Sequence, residues 1–294
     1  MGGPDATRLG ATRLGAKIPG GTRPGAKKSG AKTLAFLSSD ALRPVFVIVV
    51  VFILWQLAVT LFKIPPYLLP TPSAVAGQLV SEWPRLWRET LVTTYATLGG
   101  FALSVVLGVP LGVAVVSSRM VESLVYPILV FSQSVPKVAI APLFVVWFGF
   151  GIFPKIVVAL LLGFFPIVVA TVVGLKSIEP EVLDLARSMK ASALDSFVKI
   201  RLPSALPSLF GGLKVSVTLC VVGAVVGEFV GSNSGIGYLL QIANGNFDLP
   251  LMFAALFLLS MLGVLLFTVI DVAEGFAIPW HASQRSDRLA ALTV

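Results

Sequence analysis

Long apolar runs constrain this chain more than any other feature. A helix needs about 20 mostly apolar residues to cross the hydrocarbon core of a bilayer. The sequence offers six such stretches, at 44–62, 91–116, 123–148, 154–175, 206–230 and 251–275. Without water, backbone N–H and C=O groups must be bonded inside the segment, so each run is expected as helix. Only 12% of the 294 residues are charged, about half the share found in a soluble globular domain. The expected fold class is therefore an all-α membrane protein with about six transmembrane helices. The third stretch is the weakest, because Ser132-Gln133-Ser134-Val135-Pro136-Lys137 interrupts it. Broken backbone at membrane depth is tolerated where it packs on protein or lines a cavity.

Several functional classes are excluded early. The 22 Lys and Arg outnumber 14 Asp and Glu, but the excess is not a folded basic surface for nucleic acid. Arg8, Arg13, Lys17, Arg23, Lys27, Lys28 and Lys32 all fall in an N-terminal segment rich in Gly, Thr and Ala. That segment repeats Thr-Arg-Leu-Gly-Ala at Thr7 and Thr12 and carries too little apolar surface to offset ordering, so 1–35 is expected as a disordered basic tail. No cleavage site follows the first apolar run, which is read as an uncleaved helix. The lone Cys220 and lone His281 argue against a disulfide, a metal site or a Cys/His nucleophile. Gly10 to Gly15 imitates a phosphate loop but lacks the Lys-Ser/Thr that grips phosphate. If ATP drives this protein, another chain binds it.

Lys and Arg placement gives the orientation. With the N-terminus inside, the inner segments hold Arg8 through Arg43, Arg119, Lys176, Arg187, Lys190, Lys199, Arg201, Arg285 and Arg288. The outer segments hold only Lys63, Arg85, Arg88 and Lys155. Domain boundaries follow: a tail at 1–35, a membrane domain at 44–280 and a C-terminal cytoplasmic tail at 281–294.

Between the first two spans, the prolines of Ile64-Pro-Pro-Tyr-Leu-Leu-Pro-Thr-Pro72 block helix. Ser73 to Trp83 then reads either as an amphipathic helix on the outer surface, ended by Pro84 with Trp83 and Trp87 at interface depth, or as a plain connection. Gly108 and Gly112 form a GxxxG suited to close helix approach.

The stretch from Lys176 to Pro207 is polar, yet too patterned for a connection. Pro180 with Glu179 and Glu181 suits a helix start, and Val182, Leu185/Ala186 and Met189 give one apolar face. Ser192 and Asp195 then resemble a capping box for a second short helix with Leu194, Phe197 and Val198 on its apolar face, stopped by Leu202-Pro203. Two readings stand: a hairpin lying on the bilayer, or a knob that docks a cytoplasmic partner.

This loop resembles the signature of binding-protein-dependent ABC importer permeases: Glu-Ala-Ala, three residues, Gly, nine residues, Ile-x-Leu-Pro. The matching positions here are Asp184-Leu185-Ala186, Lys190, and Ile200-Arg201-Leu202-Pro203. Lys190 in place of glycine bears on the turn between the two helices. The likeness extends from about Leu68 to Trp280. Leu69-Pro-Thr-Pro-Ser73, Pro136-Lys-Val-Ala-Ile-Ala-Pro-Leu143, Trp147-Phe-Gly-Phe-Gly151, Phe164-Phe-Pro166, Gly227-Glu-Phe-Val-Gly231 and Gly235-Ile-Gly-Tyr238 look like the nitrate/sulfonate/taurine branch. The motifs leave the solute open between a sulfonate-, nitrate- or taurine-like compound and a pyrimidine- or flavin-like heterocycle, with the Pro-Lys-Val-Ala and Trp-Phe-Gly-Phe-Gly blocks leaning slightly toward heterocycle-importing members.

The resemblance implies a type I importer permease fold with a cytoplasmic coupling-helix loop at 176–205, in a bacterial inner membrane, without enzymatic activity of its own. It implies a homodimer, two ABC ATPase subunits that bind ATP and Mg, and an extracytoplasmic solute-binding protein. No cofactor or nucleic acid is expected on this chain. The ATPase-docking residues would be Asp184, Leu185, Ala186, Lys190, Ile200, Leu202 and Pro203.

Charges inside spans are functional candidates. Asp271 and Glu274 lie at a span end and read as structural, and Lys214 can snorkel to the interface. Lys137 and Glu228 either approach each other as a gate or are satisfied separately. With Ser132, Gln133, Ser134 and Asn233 they are the candidates for lining a translocation path. A secondary transporter is the alternative, but the chain has no repeated halves and no mid-membrane carboxylate cluster of the kind such proteins use.

Overall fold

The computed structural model describes residues 42–279, so the expected tails at 1–35 and 281–294 lie outside the described residues. The described residues divide into two units, the first ending at Val51 and the second beginning at Phe52. The described part of the first is the opening of helix α1 (Leu42–Leu61). The second unit carries α2 (Pro72–Ser81), α3 (Trp83–Ser117), α4 (Arg119–Ser134), α5 (Lys137–Phe148) and α6 (Ile152–Lys176). It continues with α7 (Pro180–Ser188), α8 (Ala193–Ser196), α9 (Leu202–Gly231), α10 (Ile236–Gly245) and α11 (Leu249–Ala277). Every described regular element is helical, as the apolar runs require.

Helices α3, α6 and α11 and the continuous run Ala193–Gly231 are each long and apolar enough to cross a membrane. The pair α4–α5 makes a fifth crossing if taken as one span bent by 94°. That bend falls on the interruption at Ser132 to Lys137. The expected first span, 44–62, falls on α1, whose 20 residues rise about 30 Å, the thickness of the hydrocarbon core.

Helix α6 is the centre, with α3 packed on one side and α9 on the other. Small residues bring these helices together. A Cβ on Gly112 would lie 2.6 Å from Thr171 Cβ, and one on Gly108 would lie 3.1 Å from Ile167 Cγ2, so the GxxxG of α3 is pressed onto α6. On the other face, a Cβ on Gly223 would lie 2.6 Å from Ala159 Cα. Ala96, Ala159, Cys220 and Ala224 form the fully buried centre of this crossing. Hydroxyls pin it: Ser104 donates to Leu160 O at 3.2 Å and Ser216 to Gly163 O at 2.8 Å. Such bonds hold helices together where neighbouring lipid is as apolar as the side chains.

A second core sits around α10, where Ile236, Leu239, Leu240 and Ala243 pack against Leu86 of α3, Val75 of α2 and Leu251, Ala254 and Ala255 of α11. Thr71 caps α2 by accepting from Ala74 N at 3.2 Å. The amphipathic helix expected at 73–83 is present, but α2 ends at Ser81 and Pro84 opens α3. Proline suits a first helical turn because no intrahelical acceptor exists for its missing N–H. Trp83 and Trp87 stack at 5.9 Å and remain half exposed.

Candidate functional site

Three features hold the candidate functional residues: the 176–205 loop, the α4–α5 break, and a buried charge cluster that joins α3, α6 and α9.

In the loop, Pro180 occupies the first turn of α7 with Glu179 as its N-cap residue. The helix closes in a Schellman motif: Lys190 N donates to Arg187 O at 2.9 Å and Ala191 N to Ala186 O at 3.0 Å. The residue at the left-handed position is Lys190, with φ +58°. The lysine thus keeps the backbone turn that the resemblance assigns to glycine, at a cost on the order of 1 kcal/mol. Ser192 Oγ accepts from Asp195 N at 3.0 Å and starts α8, as the capping pattern indicates.

Leu202-Pro203 does not stop that helix. Phe197–Arg201 forms a π-helical turn, with Leu202 N bonded to Phe197 O, and the helix runs on into α9. The widened turn accommodates Pro203, whose ring would clash with a carbonyl four residues back in regular α-helix. The candidate docking residues separate accordingly. Asp184, Leu185 and Lys190 are exposed, Ala186 is buried, and Ile200, Leu202 and Pro203 are half-buried at the root of α9. Leu185, Met189 and Leu194 are 63%, 76% and 72% exposed, an unusual amount of bare apolar surface on an otherwise polar segment. Asp184 Oδ1 accepts from Arg187 Nη1 at 2.8 Å.

At the break, α4 ends at Ser134 and α5 begins at Lys137. Gln133 and Ser134 are exposed, and Ser132 bonds back to Ile128 O. The Lys137 ammonium lies 4.2 Å from the centroid of the Phe165 ring. A cation over a ring face is stabilised by the ring quadrupole.

Glu228 is elsewhere. It is fully buried, and its partners are Thr93 Oγ1 at 2.9 Å, Gly237 N at 2.8 Å and Lys155 Nζ at 3.8 Å. Of the two readings for Lys137 and Glu228, separate satisfaction is the one observed: Lys137 lies on Phe165, Glu228 pairs with Lys155, and the fully buried Glu228 lines no open path in this conformation. Lys155, counted above among the outer flanking bases, is 1% exposed and also donates to Ser234 O at 2.8 Å. The neighbouring Glu89, 4% exposed, accepts from Gly235 N at 2.6 Å and from Arg88 Nη2 at 2.9 Å. Asn233 stays exposed beside this cluster.

Lys155, Glu89 and Thr93 were not among the sequence candidates. Lys155 and Glu89 stand close to the ends of apolar runs, where a charge reads as flanking. A signal was available in Gly227-Glu228 and Gly235-Ile236-Gly237: a Cβ on Gly227 would lie 2.8 Å from Lys155 Cα, and one on Gly237 2.8 Å from Glu228 Cβ. At the other end of α9, Lys214 does not simply snorkel. It bridges Asp271 and Glu274 of α11, the latter at 2.7 Å.

The family model described as "Binding-protein-dependent transport system inner membrane component" matches residues 104–277. The formylaminopyrimidine transport permease protein ThiX of Halalkalibacterium halodurans is 39% identical over 248 residues, covering 84% of this chain and 99% of that one. The riboflavin transport system permease protein RibX of Chloroflexus aurantiacus is 39% identical over 79% of this chain and 87% of its own. The taurine transport system permease protein TauC of Escherichia coli is 26% identical over 83% and 92%. Among solved structures, inward-facing forms of the MetNI methionine ABC transporter match with TM-score 0.58 and 22% identity, over 67% of this chain and 98% of theirs, a likeness of fold.

Proposed function

The chain belongs to the family of binding-protein-dependent transport system inner membrane components, and from that premise we propose that it is the membrane subunit of an ATP-driven importer. Its cytoplasmic face is the one bearing the 176–205 loop, with the N-terminus on the same side. Two copies form one pathway in a bacterial inner membrane. An ATPase subunit, which binds ATP and Mg, docks on each copy, and a solute-binding protein delivers cargo to the opposite face.

One observation carries this reading. The loop has its own capped helices and a fixed turn, yet leaves Leu185, Met189 and Leu194 bare. An ordered apolar patch on a polar projection is the mark of a surface that another protein covers. The ATPase is that protein: Asp184, Leu185 and Lys190 meet it directly, while Ile200, Leu202 and Pro203 transmit its movement through the π turn into α9. ATP-driven closure of the ATPases then biases the spans between two packings.

Along the path, the α4–α5 break supplies the polar groups, with Ser132, Gln133, Ser134 and Lys137 facing the solute and Asn233 near its entrance. The cargo is a small planar heterocycle of the pyrimidine or flavin kind. The 39% identity with relatives named for formylaminopyrimidine and riboflavin transport, against 26% with one named for taurine, supports that class over the sulfonates.

The test is purification of the tagged full-length chain from its native membrane. A stoichiometric partner that hydrolyses ATP is expected, and replacing Asp184–Lys190 with a Gly/Ser linker abolishes its recovery. A chain that purifies without any ATPase, or a linker variant that retains one, overturns the reading.

A further inference from the structure

Helix α10 begins on borrowed groups. The first N–H groups of a helix have no partner within it, and the residue at this start, Gly235, has no side chain with which to cap them. Three consecutive amides are met instead by side chains of two other helices. Gly235 N donates to Glu89 Oε2 at 2.6 Å, Ile236 N to Thr93 Oγ1 at 2.8 Å, and Gly237 N to Glu228 Oε2 at 2.8 Å. Glu89 and Thr93 belong to α3, and Glu228 belongs to α9. The Thr93 hydroxyl stands between them, accepting from Ile236 while donating to the Glu228 carboxylate at 2.9 Å. Lys155 of α6 secures the preceding turn through Ser234 O and Ser234 Oγ, at 2.8 and 3.2 Å.

The arrangement has no slack. Gly235 has φ +102°, and a Cβ there would overlap the Glu228 carboxylate. Backbone therefore rests directly on the acid, and Gly235 has no side chain that could turn to follow a shift of the helices. Hydrogen bonds of 2.6–2.9 Å are lost when donor and acceptor part by about 1 Å. The acceptors ride on α3 and α9, so any separation of those two helices at this end must detach α10 from one of them. Glu89, Glu228 and Lys155 are all buried, and a buried charge stripped of its partners is strongly disfavoured until water reaches it. The seat is thus either fully made and dry or released and wet.

We propose that Glu89, Thr93 and Glu228 are positioning residues that seat α10, and that the seat is released when the far ends of α3 and α9 part to admit solute. The proposal rests on the importer reading above. It makes α10, together with the exposed Asn233, the element that moves at the delivery face. Lys137 and the α4–α5 break act on solute at a separate place.

Hydrogen exchange of the permease–ATPase complex in nanodiscs, read over residues 235–240, tests this. Without nucleotide, the wild-type amides are protected. Trapping the ATPase with ATP and vanadate speeds their exchange by roughly tenfold, the effect of losing about one buried hydrogen bond, while amides in the middle of α6 stay unchanged. Thr93→Val produces the same local acceleration without nucleotide, and Thr93→Ser, which keeps the hydroxyl, does not. Equal protection of 235–240 in the free and trapped states makes the seat a static scaffold and overturns the proposal. So does an unchanged profile in Thr93→Val. If Thr93→Val unfolds the whole chain, Glu89→Gln, which weakens the Gly235 bond along with the exposed Arg88 contact, supplies the comparison, and normal protection there overturns it equally. Absence of any co-purifying ATPase overturns the importer reading and with it the release, whereas the Thr93 variants of the permease alone decide the seat.

Discussion

Lys155 Nζ lies 3.8 Å from Glu228 Oε1, with the two side chains 2% and 0% exposed. Together they join the start of α6 to the end of α9. Removing one partner of such a pair leaves an unmatched buried charge, which costs about 3–5 kcal/mol. Lys155→Met and Glu228→Leu are each expected to lower the melting temperature sharply in detergent. The double variant recovers part of that loss, because its charges disappear together. A double variant less stable than either single one contradicts the pairing.

Lys190 holds a left-handed backbone conformation at the end of α7. Lys190→Gly removes the steric cost and is expected to stabilise the loop by about 0.5–1 kcal/mol, visible as slower proteolysis between α7 and α8. Lys190→Val, branched at Cβ, has the opposite effect on loop protection.

Close approach of α3 to α6 predicts a contrast between two glycines. A Cβ on Gly112 would lie 2.6 Å from Thr171 Cβ, whereas one on Gly77 in α2 would meet nothing within 4 Å. Gly112→Ala is expected to destabilise by about 1–3 kcal/mol through overpacking. Gly77→Ala is expected to stabilise slightly, by up to roughly 1 kcal/mol, from helix propensity. Thermal unfolding of the two variants side by side checks both signs.

The exposed apolar patch on the loop makes a graded prediction. Leu185→Glu, Met189→Glu and Leu194→Glu each weaken ATPase recovery by roughly tenfold or more, as loss of a buried interface anchor does. Their melting temperatures stay near wild type, because these side chains are exposed in the isolated chain. Ala186→Glu differs: its position is 6% exposed, so it unfolds the loop as well as releasing the ATPase.

Lys137 sits over Phe165 at the α4–α5 break. Lys137→Gln is expected to lower solute-stimulated ATP hydrolysis at least severalfold, leaving basal hydrolysis and complex assembly intact. Equal stimulation in wild type and variant removes Lys137 from the path.

Much of the architecture was written in the sequence, for a simple reason. The bilayer requires every backbone polar group to be bonded locally, so an apolar run declares a helix without reference to its neighbours. The bend at Ser132 to Lys137, the start of α7 at Pro180 and the cap at Ser192 were legible in the same way, since each depends on residues a few positions apart. Only tertiary structure decided which charges meet. Along a helix apolar on all sides, periodicity no longer says which face is inside, so Lys155 read as a flanking base and the partner of Glu228 stayed open. The close approach of α6 and α9, set by Gly223 and Gly227, brought those two side chains together across 73 positions of sequence. Local sequence likewise suggested that Leu202-Pro203 ends a helix. Packing of α9 against α6 made continuation worth a π turn instead.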